Sequence, residues 1–323
     1  MSSKNSSQSS AGPASEAGAA PEGGVNLGKD ARYQAFLQVV ADLRPRLHRY
    51  CSRMTGSALD GEDVVQETLF QAYRHLDEYD ERRSMGPWLM GIAHNRCLDL
   101  LRRRKVRIGI EGDSSAAPEP ASAPESHARL HVPAALERLV LKLPPKERAC
   151  MLLKEVFEYS LEETAAVVGS TLGGVKAALH RGRAKLVDTG EPVRPSRPPS
   201  AEDLRVLHLY VERFNQRDWN GVLELTRADA RLDVADAYKG PFTESSGYFS
   251  NYQRATIPWR LAVGFVDGEP VILTLRETRS EQWTPASATR IRLQDRRIAE
   301  IRDYGHCPWV LSAATSVEVS TSH

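Results

Sequence analysis

The chain has 323 residues, 41% of them hydrophobic and 26% charged, with 43 basic against 42 acidic side chains. This is ordinary composition for two or three soluble domains and excludes a fibre. A net charge of +1 averages basic helix ends with acidic loops, so it does not argue against a nucleic-acid partner.

Residues 1–28 are rich in Ser, Ala, Gly and Pro with almost no large apolar side chains, the composition of a disordered tail. They lack the hydrophobic centre of a signal peptide, and no apolar run approaches the length of a membrane span. From Ala31 a helix is expected to carry Tyr33, Phe36, Leu37, Val40, Leu43 and Leu47, with Pro45 as a kink or break. A second helix opens at Asp60, a capping residue, with Glu62 and Asp63 in its first turn where carboxylates favour the helix dipole. Its periodicity puts Val65, Leu69, Ala72 and Leu76 on a core side and Asp63, Gln66, Glu67, Phe70 and Arg74 on the other. Phe70 is then either an aromatic anchor inside a polar rim or a ring tucked under a neighbouring helix.

A third helix is expected from Pro87, with Trp88, Leu89, Ile92, Ala93 and Leu100 inward. It ends in Arg102, Arg103, Arg104, Lys105 and Arg107, five cations in six positions, which is more charge than capping requires and suits phosphates. The series DGEDVVQETLFQAYR, a Trp-bearing turn and IAHNRCLDLLRRR resembles region 2 of the extracytoplasmic-function group of bacterial sigma-70 factors. That resemblance implies that Asp63, Gln66, Glu67 and Phe70 meet the clamp-helix coiled coil of core RNA polymerase. It also implies that the loop Asp77 to Met85 receives a flipped base of the −10 promoter element, with Tyr79 and Trp88 as nearby rings that core packing explains equally well.

Residues 109–131 turn to Pro, Ala, Ser and Glu without periodicity, a flexible linker between a unit at 29–108 and one at 132–188. In the second unit Ser160 and Glu163 form a capping box, Gly169 closes the short helix, and a further helix starts near Thr171, which is helix-turn-helix grammar. That helix buries Val175, Leu179, Gly182 and Leu186 and presents Lys176, His180 and Arg183, with Arg181 and Lys185 at its edges. The stretch from Leu143 to Leu186 is similar to sigma region 4, which implies that Lys176, His180 and Arg183 face the −35 major groove while Arg181 and Lys185 support the backbone. The pair Gly173–Gly174 weakens the start of that helix by roughly 1 kcal/mol per residue relative to Ala.

A Pro-rich linker at 189–200 leads to a third unit at 201–315, in which helices are followed by alternating strand-like segments divided by turns at Asp267–Gly268 and Asp295–Arg296, and then to a loose tail at 316–323. Helices followed by antiparallel strands imply an α+β fold, so the fold class is multidomain, two all-α helical domains followed by an α+β cone. RLDVAD and RIRLQDRRIAEIRDYGHCPWVL resemble the SnoaL-like, ketosteroid-isomerase-like cone, which implies a cavity lined by Asp233, Asp303 and His306 with Asp236, Tyr238 and Tyr304 nearby. Asp303 could be a general base or simply an Asp bonded to backbone before Gly305, and without a second placed acid no enzyme is expected. The hairpin reads Asp267–Gly268–Glu269–Pro270 where some members carry a glycine-rich loop, so that loop's contact is not transferred.

Cys51, Cys97, Cys150 and Cys307 are far apart with no CxxC spacing, and the histidines are not placed to complete a zinc set, so reduced thiols in the cytoplasm, and neither metal nor cofactor, are expected. The resemblances together imply a sigma factor with core RNA polymerase and promoter DNA as partners, and a C-terminal cone that regulates it through a small ligand or an intramolecular contact. The alternatives are a stand-alone ligand-sensing helix-turn-helix regulator and an isomerase or cyclase fused to a DNA-binding module.

Overall fold

A computed structural model describes residues 27–80, 84–107, 140–187, 200–278 and 282–320. The expected linkers at 109–131 and 189–199, and nearly all of the N-terminal tail, lie outside them.

Helix α1 (Leu27–Thr55) runs through Pro45 rather than breaking there. Leu47, Tyr50, Cys51 and Met54 beyond the proline are wholly buried, and their burial outweighs the lost backbone bond. Helix α2 (Ala58–Arg74) starts two residues before Asp60, because Ser57 is the cap: its hydroxyl accepts from the Asp60 N–H at 3.2 Å. Helix α3 (Met85–Arg107) likewise begins two residues ahead of Pro87.

Helix α4 (Pro145–Met151) ends in a π turn at Leu152–Val156. Helix α5 (Leu161–Val168) opens on the Ser160/Glu163 capping box and closes on Gly169 at φ 60°, in the left-handed region that glycine adopts freely. Helix α6 (Leu172–Val187) follows, completing a helix-turn-helix. The two helical units share one core, in which Tyr50, Met54, Leu89 and Met90 cluster with Leu143, Cys150, Leu152, Leu153, Val175 and Leu179. Arg46 stacks 5.0 Å over Tyr159 and donates to the Phe157 carbonyl, and Arg148 donates to the carbonyls of Met54 and Leu141 at 2.5 and 2.6 Å.

The C-terminal unit adds α7 (Ala201–Asn215), α8 (Trp219–Glu224), α9 (Tyr248–Gln253) and α10 (Trp309–Ala313) to seven strands: β1 (Thr226–Val234), β2 (Tyr238–Pro241), β3 (Trp259–Val266), β4 (Glu269–Glu277), β5 (Trp283–Gln294), β6 (Arg297–Asp303) and β7 (Val317–Val319). The sheet order is β2-β1-β6-β5-β4-β3-β7, antiparallel except for the β1/β6 pair. The tail expected to be loose from residue 316 instead begins with the edge strand β7. Strand alternation divides β4 between two cores: Ile272 faces the cone interior with Tyr210, Phe214 and Tyr248, while Val271, Leu273 and Leu275 face outward. The outward face is not solvated. It is covered by Val310 of α10 and by Ala58 and Leu59 from the start of α2, so this core is built from both ends of the chain.

Candidate functional site

The polar face of α2 is divided along its length. Asp63 is held by three side chains of the cone: one carboxylate oxygen takes Arg302 Nε at 2.6 Å and Tyr304 Oη at 2.8 Å, the other Arg290 Nη1 at 3.0 Å. Arg302 also donates to the Gln66 side chain at 2.9 Å and to Asp233 at 2.7 Å. Arg290 reaches Asp60 at 3.0 Å and Glu269 at 2.7 Å. Glu67 and Phe70, by contrast, remain exposed, Phe70 at 64%, with the Arg74 guanidinium 5.9 Å from its ring. Of the two readings left open for Phe70, the structure selects the exposed ring.

Arg290 and Arg302 sit directly opposite one another on β5 and β6. Two like charges in register repel, and the acids of α2 and the cone remove that penalty. Burial alone would lower the pKa of each guanidinium, but the Asp63 carboxylate beside both, with Glu269 beside Arg290 and Asp233 beside Arg302, holds them above the ordinary value. Burial raises the Tyr304 phenol, which therefore stays a proton donor to Asp63.

One residue before Asp63 lies a second contact. Glu62 is wholly buried and accepts from Trp309 Nε1 at 2.6 Å, from Arg44 Nη2 at 2.6 Å and from the Cys307 thiol at 3.6 Å. Arg44 also reaches Asp236 at 2.6 Å and lies 4.7 Å from the centre of the Trp309 ring. Glu62, Asp236 and Cys307 bring ligand atoms within 4.8 Å of one another, the one such group that includes Glu62 among the described residues, but the Arg44 guanidinium already supplies the cation between the two carboxylates. The Asp267–Gly268 turn, left without a role by sequence, makes a contact of its own: Asp267 accepts from the Ala58 N–H at 2.8 Å, closing an orphan donor at the start of α2, and from Thr315 N at 2.6 Å.

On α3 the basic run is unevenly available. Arg102 pairs with Asp99 at 2.9 Å, Arg104 pairs with Asp60 and donates to Thr55 O, and Arg103 is exposed. On α6 the outward side carries Lys176 and His180, both exposed, while Arg183 is exposed but 2.5 Å from Glu155. Arg181 and Lys185 turn back to the buried Glu147, at 3.0 and 2.8 Å. Tyr79 and Trp88 pack against each other with their rings tilted by 42°, centres 4.8 Å apart.

The expected cavity residues do not converge. Asp303 does face the cone interior, where it is buried and accepts from Tyr248 Oη at 2.7 Å, Tyr252 Oη at 3.1 Å and the Gly305 N–H at 2.7 Å. Asp233 lies on the opposite face of the sheet, bound to Arg302 and Lys239, and His306 is exposed. Alternation explains the split, since a strand sends successive side chains to opposite faces. The interior is filled by rings, Phe214 packing against Trp219, Tyr248, Phe249, Tyr252 and Trp259 at 4.9–6.2 Å.

Sequence reasoning missed Glu62, Arg44, Arg290, Arg302 and Trp309 as contact residues. The signal for one of them was present, because the alternation that turns Asp303 inward turns Arg302 outward.

Comparison with known proteins identifies the two helical units. The Sigma-70 region 2 family matches residues 39–107 and the Sigma-70 region 4 family matches residues 134–186. The ECF RNA polymerase sigma factor SigW of Bacillus subtilis is 28% identical over 49% of this chain and 90% of its own length, and the RNA polymerase sigma factor CarQ of Myxococcus xanthus is 31% identical over the same shares. The crystal structure of the Mycobacterium tuberculosis extracytoplasmic function sigma factor SigJ is 16% identical, with a TM-score of 0.33 over 83% of this chain and 95% of that one. No described helix is long and apolar enough to cross a membrane. With regions 2 and 4 in this order and a relative above 30% identity matched over nearly its whole length, the chain belongs to the extracytoplasmic-function sigma factors of the sigma-70 family.

Proposed function

We propose that this initiation factor, which as a family member directs RNA polymerase to promoters rather than catalysing a reaction, carries its own regulator in the C-terminal cone, and that the cone restrains it by covering the first half of the polymerase face on α2. The single observation that carries this reading is the threefold engagement of Asp63 by Arg290, Arg302 and Tyr304. A carboxylate so held cannot serve a second protein at the same time. In the same reading Arg102, Arg103 and Arg104 serve −10 DNA, and Lys176, His180 and Arg183 serve the −35 element, with Arg181 and Lys185 supporting the backbone. The ligand-sensing alternative leaves this acidic face of α2 without a purpose.

The test is transcription in vitro by core RNA polymerase on a promoter library, comparing the full-length chain with its Arg290→Ala/Arg302→Ala variant. Promoter-specific transcripts that require the chain, and a severalfold higher yield with the variant, are expected. Equal yields would end the regulatory role, and DNA binding without transcripts would end the sigma role.

A further inference from the structure

Resting on that reading, we infer that core RNA polymerase itself evicts the cone, gaining a first hold on the half of α2 that the cone leaves open. Among the described residues the cone's polar contacts with α2 stop at Gln66. Beyond it the same face continues as Glu67, Phe70 and Tyr73, the two rings exposed at 64% and 56%. Tyr33 and Leu37 of α1 extend the patch, exposed at 38% and 41%, with the Tyr33 ring edge-on to Tyr73 at 5.6 Å. The core of the helical body claims neither Phe70 nor Tyr73. Large rings left in water beside a charged rim form the anchor type on which protein interfaces concentrate their energy.

The occupant follows from continuity. The open patch and the covered acids lie on successive turns of one helix, so a partner that uses the whole face meets the patch first and the acids only after the cone has moved. The covered half is a latch of several shared charges: Arg302 holds Asp63, Gln66 and Asp233, and Arg290 holds Asp60 and Asp63. Such a latch opens rarely when every pair must part at once. A partner already seated one turn away is held at an effective concentration on the order of millimolar and can capture Asp63 and Gln66 as each is transiently released. The open patch therefore determines how fast the latch gives way, and the latch determines how often it opens unaided.

The experiment follows cone release in the full-length chain. Fluorophores are placed at the exposed Glu78 and Arg254 through cysteine substitutions, the four native cysteines being buried. On adding core RNA polymerase, the release rate is expected to rise with polymerase concentration, and Phe70→Ala with Tyr73→Ala to slow that driven release at least tenfold. The polymerase-free open fraction should be unchanged by that pair and raised severalfold by Arg302→Ala. A release rate independent of polymerase concentration would mean that the cone opens first and would overturn the inference, as would wild-type release by the Phe70/Tyr73 variant. Release that instead grows with the chain's own concentration would assign the patch to self-association and also overturn it. Polymerase binding without any cone release is a separate failure, that of the regulatory reading itself.

Discussion

Helices α2 and α6 each present a charged face on the same helical body, and the two faces are treated oppositely. Asp63 of α2 is met by arginines from a different unit more than 220 residues away, Arg290 and Arg302. The cations of α6 are met by acids of their own unit, Glu147 and Glu155, within 38 residues. A face neutralised locally remains available whatever the cone does. A face neutralised from a distance is available only when the distant unit leaves. On the proposed reading, regulation by the cone therefore falls on α2, the helix proposed to meet polymerase, and leaves α6, the helix proposed to read the promoter, untouched among the described contacts.

The two helices are nonetheless braced by one core, and its weak point is titratable. His94 on α3 is buried, with its Nδ1 2.9 Å from Tyr50 Oη, and burial depresses its pKa from 6.5 to about 4. A depressed histidine binds its proton more readily unfolded than folded, so its contribution is complete above pH 6.5 and is lost as pH falls from 6.5 towards 4. The full loss is about 3 kcal/mol, of which about 2 kcal/mol is gone by pH 5. Urea titrations at pH 7 and pH 5 should show this drop, and His94→Gln should flatten it. An unchanged slope in that variant would remove His94 as the acid-sensitive joint and leave the two faces less tightly coupled than their shared core suggests.

Much of this contrast was legible in the residues and some of it could not be. The capping box at Ser160, the closing Gly169 and the buried stripe of α6 all follow from local spacing, and the structure has each of them, whereas spacing left Phe70 open between an exposed and a tucked ring. The inward turn of Asp303 also follows from alternation, although the acid lies among packed rings rather than with Asp233 and His306. What escaped was long-range: Asp63 and Gln66 read as solvent-facing because helical periodicity gives the face of a residue and not what will later cover it. Pro45 escaped for a related reason, since local propensity argues for a break while buried side chains beyond the proline continue the helix. Glu62 looked like a first-turn acid, and its burial depends on Trp309 and Arg44 from two other elements.

Glycines sharpen the comparison further, because each helix has one near its start and the two do different work. A methyl group added at Gly61 of α2 would meet Ser52 of α1 at 2.3 Å from its Oγ and 2.7 Å from its backbone N. The backbone atom cannot swing aside, so Gly61→Ala should force α1 and α2 apart and cost about 2 kcal/mol in thermal or urea unfolding. Because Ala58 and Leu59 move with the helix, cone docking should loosen with it. A variant as stable as the parent would show that the helix pair has slack.

At the first turn of α6 the geometry reverses. A methyl group at Gly173 would have the Thr171 side chain 4.0 Å away as its nearest neighbour, in a helical backbone without positive φ. Nothing packs against the position, so the glycine contributes only backbone freedom to the unfolded chain. Gly173→Ala should therefore stabilise the chain by about 1 kcal/mol. Stability and function then separate in an informative way. If the glycine is present only through neutral drift, the alanine variant gains stability and transcribes from −35-dependent promoters as the parent does. If the groove requires the closest backbone approach at this turn, the same variant gains stability and loses −35-dependent transcription, while core polymerase binding through α2 is unchanged. A loss in both assays would contradict the independence of the two faces, since nothing at Gly173 reaches α2 except through the core beneath them.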